Sequence, residues 1–173
     1  MESEYVLDIN RVKGDELELV GGKALGLGNL YRHGVKVPEG FIVTTDAYYD
    51  FMKQTNLNSY IMGLLNDLNT YDMESLVEVS TKIKRSFMDS DFPETISEKI
   101  VRAYISYGEG LVAVRSSATA EDLPKLSFAG QQSSFLNLFG SREVVKHVQQ
   151  CWASLFEPRA MFYRHQNGMD QID

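Results

Sequence analysis

The chain has 173 residues, enough to bury a sizeable core within one domain or a domain and part of another. Hydrophobic residues make up 43% and charged residues 24%, the usage of a globular domain, which excludes a disordered tail or a fibre. The formal charge of −7 opposes long-range attraction to nucleic acid or an anionic membrane.

The chain opens with MESEYVLDIN, which lacks the basic and apolar regions of a signal peptide, and no later apolar run is long enough to span a bilayer. A cytoplasmic protein is expected. Tyr5 to Ile9 alternates weakly and predicts an edge strand, and Lys13-Gly14-Asp15 turns the chain. Gly21-Gly22 then opens a helix bearing Leu25, Leu27 and Leu30, which Gly34 stops. Pro38 and Gly40 mark a turn before the short strand FIVT. Thr44 or Thr45 serves as N-cap for a helix with Tyr48, Phe51 and Met52 at core spacing, and a further helical piece covers 57–68.

Met73, Leu76, Val77, Ser80, Ile83 and Phe87 form a stripe of helical period with Asp72 as its cap. Pro93 suits the first turn of the next helix, whose face carries Ile96, Ile100, Ala103, Tyr104 and Tyr107 before Gly108 and Gly110 end it. LVAV at 111–114 and SFLNL at 134–138 have the length and composition of strands. Ser141 caps a helix carrying Val144, Val148, Trp152 and Leu155, and Pro158 interrupts or restarts it before Asn167-Gly168. The lone cysteine, Cys151, lies in that apolar pattern and is expected to be an inert buried thiol in a reducing compartment. Helices outnumber short strands, so the fold class expected is α/β to α+β.

Two segments join small residues to one basic side chain. The first is Gly21-Gly22-Lys23, which is neither a Walker A loop, since Leu17 and Ala24 occupy required Gly and Ser/Thr positions, nor a dinucleotide fingerprint. A lysine in the first helical turn faces the positive end of the helix dipole, an arrangement that a bound phosphate would turn from unfavourable to favourable. A solvated lysine that swings away is the competing reading.

The second segment is AVRSSATAEDLPKLSFAGQQSSFLNL, residues 113–138. Arg115 leaves an apolar strand with its base held rigidly and its fork of donors able to span two phosphate oxygens. The small residues Ser116, Ser117, Ala118, Thr119 and Ala120 let a ligand approach the backbone, as does Gly130. Phe128-Ala129-Gly130-Gln131-Gln132 reads as a lid whose amides close over phosphates. An ion pair of Arg115 with Glu121 or Asp122 competes equally with the phosphate reading. Those two acids suit a turn better than a metal site, and His33, His147 and His165 share no metal spacing.

LVGGKALGLGNLYRHGVKVPEGFIVTTDAY and AVRSSATAEDLPKLSFAGQQSSFLNL together resemble the N-terminal nucleotide-binding region of the phosphoenolpyruvate synthase and pyruvate phosphate dikinase family, and the likeness continues through WASLFEPRAMFYRHQNG. The resemblance implies that residues 1–173 form the first part of an ATP-grasp-like domain, with a subdomain boundary near 108–111. It implies that Lys23 and Arg115 are the phosphate-contacting, catalytic cations. Gly21, Gly22, Gly130, Gln131, Gln132 and Ser134 would line the nucleotide with them.

The family moves a phosphoryl group from ATP, with magnesium, to a histidine on a separate swinging domain and then to pyruvate. The resemblance places the magnesium ligands, that histidine and the pyruvate site outside these residues, so the chain by itself is expected to be inactive. Self-association, or pairing with the missing half of the ATP domain, is expected from apolar surface left uncovered. A rifampin-type antibiotic phosphotransferase and a stand-alone binding or assembly module are the alternatives.

Overall fold

A computed structural model describes residues 4–66, 68–117 and 133–169. In chain order these form β1 (Val6–Asp8), α1 (Leu17–Arg32), β2 (Phe41–Val43), α2 (Thr45–Gln54), α3 (Leu57–Asn66), α4 (Met73–Asp89), α5 (Glu94–Ser106), β3 (Val112–Arg115), β4 (Ser134–Leu138), α6 (Ser141–Ala153) and α7 (Pro158–Gln166), with short 3-10 turns after β1 and α6. The mixed, helix-rich class expected from the sequence is what the chain adopts. Each pair of strands is antiparallel: β1 with β2, and β3 with β4.

The larger core lies among α2, α3, α4, α5, α6 and α7, where Phe51, Ile61, Leu76, Ile83, Phe87, Ile96, Ile100 and Phe156 are fully buried. Aromatic rings knit it together: Phe51 stacks on Phe87 with centroids 5.7 Å apart, and Phe92 on Trp152 at 5.4 Å. Of the stripe on α4, Leu76, Ser80, Ile83 and Phe87 are buried, whereas Met73 and Val77 face outward. Asp72 caps that helix as expected, its carboxylate accepting from the Glu74 N–H at 3.2 Å.

Thr44 precedes α2, but its hydroxyl donates to the Glu4 carbonyl oxygen at 2.6 Å instead of capping, which pins the chain entering β1. Gly140, not Ser141, is the residue before α6. Gly34 ends α1 with φ 76° and a pair of backbone bonds, Gly34 N–H to Tyr31 and Val35 N–H to Leu30, that satisfy the last carbonyls.

Two phenols hold the C-terminal end of α5 in place. The Tyr104 hydroxyl donates to the Gly110 carbonyl oxygen at 2.9 Å and accepts from the Gly140 N–H at 3.0 Å, so one side chain fixes the entry to β3 and the exit from β4. The Tyr107 oxygen lies 2.9 Å from both an Asp8 carboxylate oxygen and the Gly40 carbonyl oxygen, tying α5 to the small sheet. That sheet and the start of α1 share a second core of Leu7, Val12, Val20, Ala24 and Ile42.

A buried polar group also serves this frame. The Gln149 amide on α6 donates to the carbonyls of Phe87 and Ser90, where α4 has run out of intrahelical donors. Gln149→Leu removes the donor to the Ser90 carbonyl and leaves the Phe87 carbonyl only the Ser90 N–H at 3.3 Å, so a loss of about 1 to 3 kcal/mol is expected. Urea unfolding checks it, as a lower midpoint at unchanged slope.

Candidate functional site

The helix α1 is continuous in its bounds but broken inside. Gly21 has φ 75° and ψ 168°, so the chain leaves helical geometry there and resumes it at Gly22. Glycine reaches that backbone region without the clash a side chain would meet. Space demands glycine as well, because a Cβ at Gly21 would stand 2.0 Å from the Ser117 carbonyl oxygen. The polypeptide leaving β3 therefore lies directly on the break.

Ser117 does more than fit there. Its hydroxyl accepts from the Ala24 N–H at 3.0 Å and donates to the Val20 carbonyl oxygen at 2.9 Å. Val20 and Ala24 are four residues apart and would bond each other in an unbroken helix, so the hydroxyl is inserted into that rung of the ladder. It bridges residues 93 and 97 positions away in sequence.

This junction brings the two basic residues to one rim. Lys23 occupies the first turn of the resumed helix, next to Ala24, and Arg115 is the last residue of β3, two residues before Ser117. Two residues of chain span at most about 7 Å, and adding the hydroxyl bridge leaves the Cα atoms of Lys23 and Arg115 within about 15 Å. Both side chains are exposed and long enough to act on one extended anion. Ser134 pairs with Arg115 in the β3–β4 ladder, so it joins the same edge.

Lys23 and Arg115 each bring a positive charge to this rim. The N–H groups of the resumed helix add their dipole to the two cations, a combination suited to phosphate. The reach of Lys23 is felt across the junction at Cys151 on α6: burial pushes that thiol up to about 12, and the nearby ammonium pulls weakly the other way. The Cys151 Sγ lies 3.8 Å from the Ser133 carbonyl oxygen, just before β4. Among the described residues, the buried Ser116 Oγ beside Arg115 has no hydrogen-bond partner.

Of the residues singled out in the sequence, Gly21, Gly22, Lys23, Arg115 and Ser134 come together here. Gly130, Gln131 and Gln132 lie outside the described residues, as do Glu121 and Asp122. The histidines are held locally: Nδ1 of His33 and of His147 pairs with the carbonyl four residues earlier, and His165 packs edge-on against Tyr71. Among the described residues no three His, Cys, Asp or Glu side chains cluster so as to hold a metal ion, and no helix is long and apolar enough to cross a membrane. The part played by Ser117 escaped the sequence reading, which took it only as a small residue permitting close approach. The doubled serine after the arginine was the available signal.

Comparison with known proteins places this rim in context. The profile of the family described as pyruvate phosphate dikinase, AMP/ATP-binding domain, matches residues 17–173. A Methanocaldococcus jannaschii protein named "Probable phosphoenolpyruvate synthase" is 42% identical over 175 residues, covering 98% of this chain and 15% of the relative. The rifampicin phosphotransferase of Bacillus subtilis is 42% identical over 170 residues, covering 97% and 20%. The phosphoenolpyruvate synthase of Pseudomonas aeruginosa is 41% identical over 175 residues, covering 96% and 22%. The chain thus spans about a quarter or less of the length of the relatives it matches, in their N-terminal part.

Proposed function

The chain belongs to the pyruvate phosphate dikinase AMP/ATP-binding domain family, a phosphotransferase family, and from that premise we propose that it forms one wall of an ATP site in a phosphoenolpyruvate synthase. One observation carries the reading: Lys23 and Arg115, distant in sequence, are joined at a single rim by the Ser117 hydroxyl. Phosphoryl transfer relies on cations and amides placed around moving charge more than on covalent work by the protein. Lys23 at the helix tip and Arg115 at the strand end supply that charge, Gly21, Gly22 and Ser134 border the phosphates, and Gly130, Gln131 and Gln132, outside the described residues, are assigned to the same nucleotide by the family resemblance.

Magnesium, which the family's chemistry uses, finds no ligand set among the described residues. Its carboxylates belong to polypeptide beyond this chain in the proposed enzyme, together with the histidine that carries phosphate and the site for pyruvate. The working location is the cytoplasm. Leu111, Leu136 and Phe139, each more than 60% exposed around the β3–β4 ladder, favour the view that this face packs on the rest of the ATP domain or, in its absence, on a second copy.

The test is calorimetric titration of the 173-residue chain with ATP. Weak, saturable binding is expected, and a flat titration overturns the proposal. A second reading rests on the 42% identity to rifampicin phosphotransferase. Supplying ATP with pyruvate or with rifampicin to the protein joined to the missing domains separates the two by which acceptor gains phosphate.

A further inference from the structure

We infer that Ser117 is a positioning residue for phosphoryl transfer: its hydroxyl, inserted between the Val20 carbonyl and the Ala24 N–H, locks the helix tip bearing Lys23 to the strand end bearing Arg115, so that both cations engage the same polyphosphate. The inference rests on the ATP-site reading above and deepens it by naming the part that couples the two cations.

The chemistry of the rung singles out a hydroxyl. A break at Gly21 leaves a backbone acceptor at Val20 and a backbone donor at Ala24 that no longer meet. Only a group that donates and accepts at once satisfies both, which a serine or threonine hydroxyl does and an alanine or valine side chain does not. The two bonds, 2.9 and 3.0 Å, have good lengths for their types. Main-chain contact reinforces them, because the Ser117 carbonyl fills the space beside Gly21 that any side chain would occupy. Lys23 lies between the two bonded residues, so it sits inside the turn that Ser117 closes. Arg115 belongs to the same segment, as the last residue of β3, with Ser116 alone between it and the lock.

Both segments would still exist without this hydroxyl, but their mutual placement would loosen. Cations held about 1 Å out of place cost strongly when two charges must act on one group, because the positional restraint is what makes their action joint. Ser117 touches no phosphate in this account; it acts through Lys23 and Arg115.

Coupling between Lys23 and Arg115 is therefore the readout, since a merely structural serine would leave it alone. Calorimetric ATP affinities are measured for Lys23→Ala, Arg115→Ala and the double variant, with Ser117 intact and with Ser117→Ala. The expected result is non-additive losses with Ser117 intact, additive losses with Ser117→Ala, and about ten-fold weaker ATP binding by Ser117→Ala alone. Ser117→Thr retains the hydroxyl and is expected to bind ATP nearly as wild type, whereas Ser117→Val, of the same shape without it, is not.

Should Ser117→Ala and Ser117→Val fail to fold, exchange of the Ala24 amide in the unmodified chain carries the test: protection that deepens on adding ATP supports the lock. Full coupling persisting in Ser117→Ala, or an Ala24 amide that exchanges as fast as an open one with ATP bound, overturns it while leaving the ATP site intact. Absence of any ATP binding by the wild-type chain overturns the ATP-site reading and this inference with it.

Discussion

Arg115→Ala and Lys23→Ala are each expected to weaken ATP binding roughly 10- to 100-fold, the loss of one charge-assisted contact to phosphate. Both side chains are exposed, so unfolding free energies are expected to change by no more than about 0.5 kcal/mol. That separation of binding from stability is the feature that identifies a ligand contact. Arg115→Lys keeps the charge but not the planar fork, and an affinity between wild type and alanine is expected. Calorimetric titration with ATP checks all three variants. Identical affinities for wild type and both alanine variants would remove Lys23 and Arg115 from the site.

Gly21→Ala acts through the fold, and its effect on stability is the larger. Alanine at this positive-φ, extended-ψ position costs about 1 to 3 kcal/mol, and a Cβ set 2.0 Å from the Ser117 carbonyl oxygen adds overpacking of about 1 to 3 kcal/mol. That oxygen belongs to backbone held by the Ser117 hydroxyl bonds, so it cannot retreat without breaking the rung between Val20 and Ala24. A net loss of about 2 to 6 kcal/mol is expected, with ATP binding falling in parallel because the helix tip and strand end part. Gly26, five residues along the same helix, has nothing within 4 Å of where its Cβ would stand. Gly26→Ala is expected to stabilise by about 0.5 to 1 kcal/mol. Opposite shifts in the urea midpoints of these two glycine variants check the account; a neutral Gly21→Ala would sink it.

Much of the architecture was legible because it is written at short range. The α4 stripe, its Asp72 cap, the stop at Gly34 and the β4 segment Ser134–Leu138 depend on neighbours within a turn or a few strand residues, and they stand where the pattern put them. Thr44 stands at the N-cap position of α2 as expected but its hydroxyl does not cap, and Gly140 takes the place before α6 expected of Ser141. A short hydroxyl side chain near a helix start satisfies whichever donor or acceptor lies nearest, and for Thr44 that is the Glu4 carbonyl oxygen, 40 residues away. Met73 and Val77 carried the right period for the core and lie outside it, because periodicity selects a face but the width of the contact is set by what packs against it.

By itself the sequence determined which segments became helices and strands, that two basic residues adjoin small, phosphate-compatible positions, and through resemblance the family to which the chain belongs. Tertiary structure alone decided that Gly21 marks a break inside a helix, that Ser117 fills the missing rung, and that Lys23 and Arg115 therefore share a rim. The physical reason is range. Propensity, capping and periodicity act over a few residues and leave marks in a short window, whereas a hydroxyl replacing a hydrogen bond more than ninety residues away leaves none until the chain has folded.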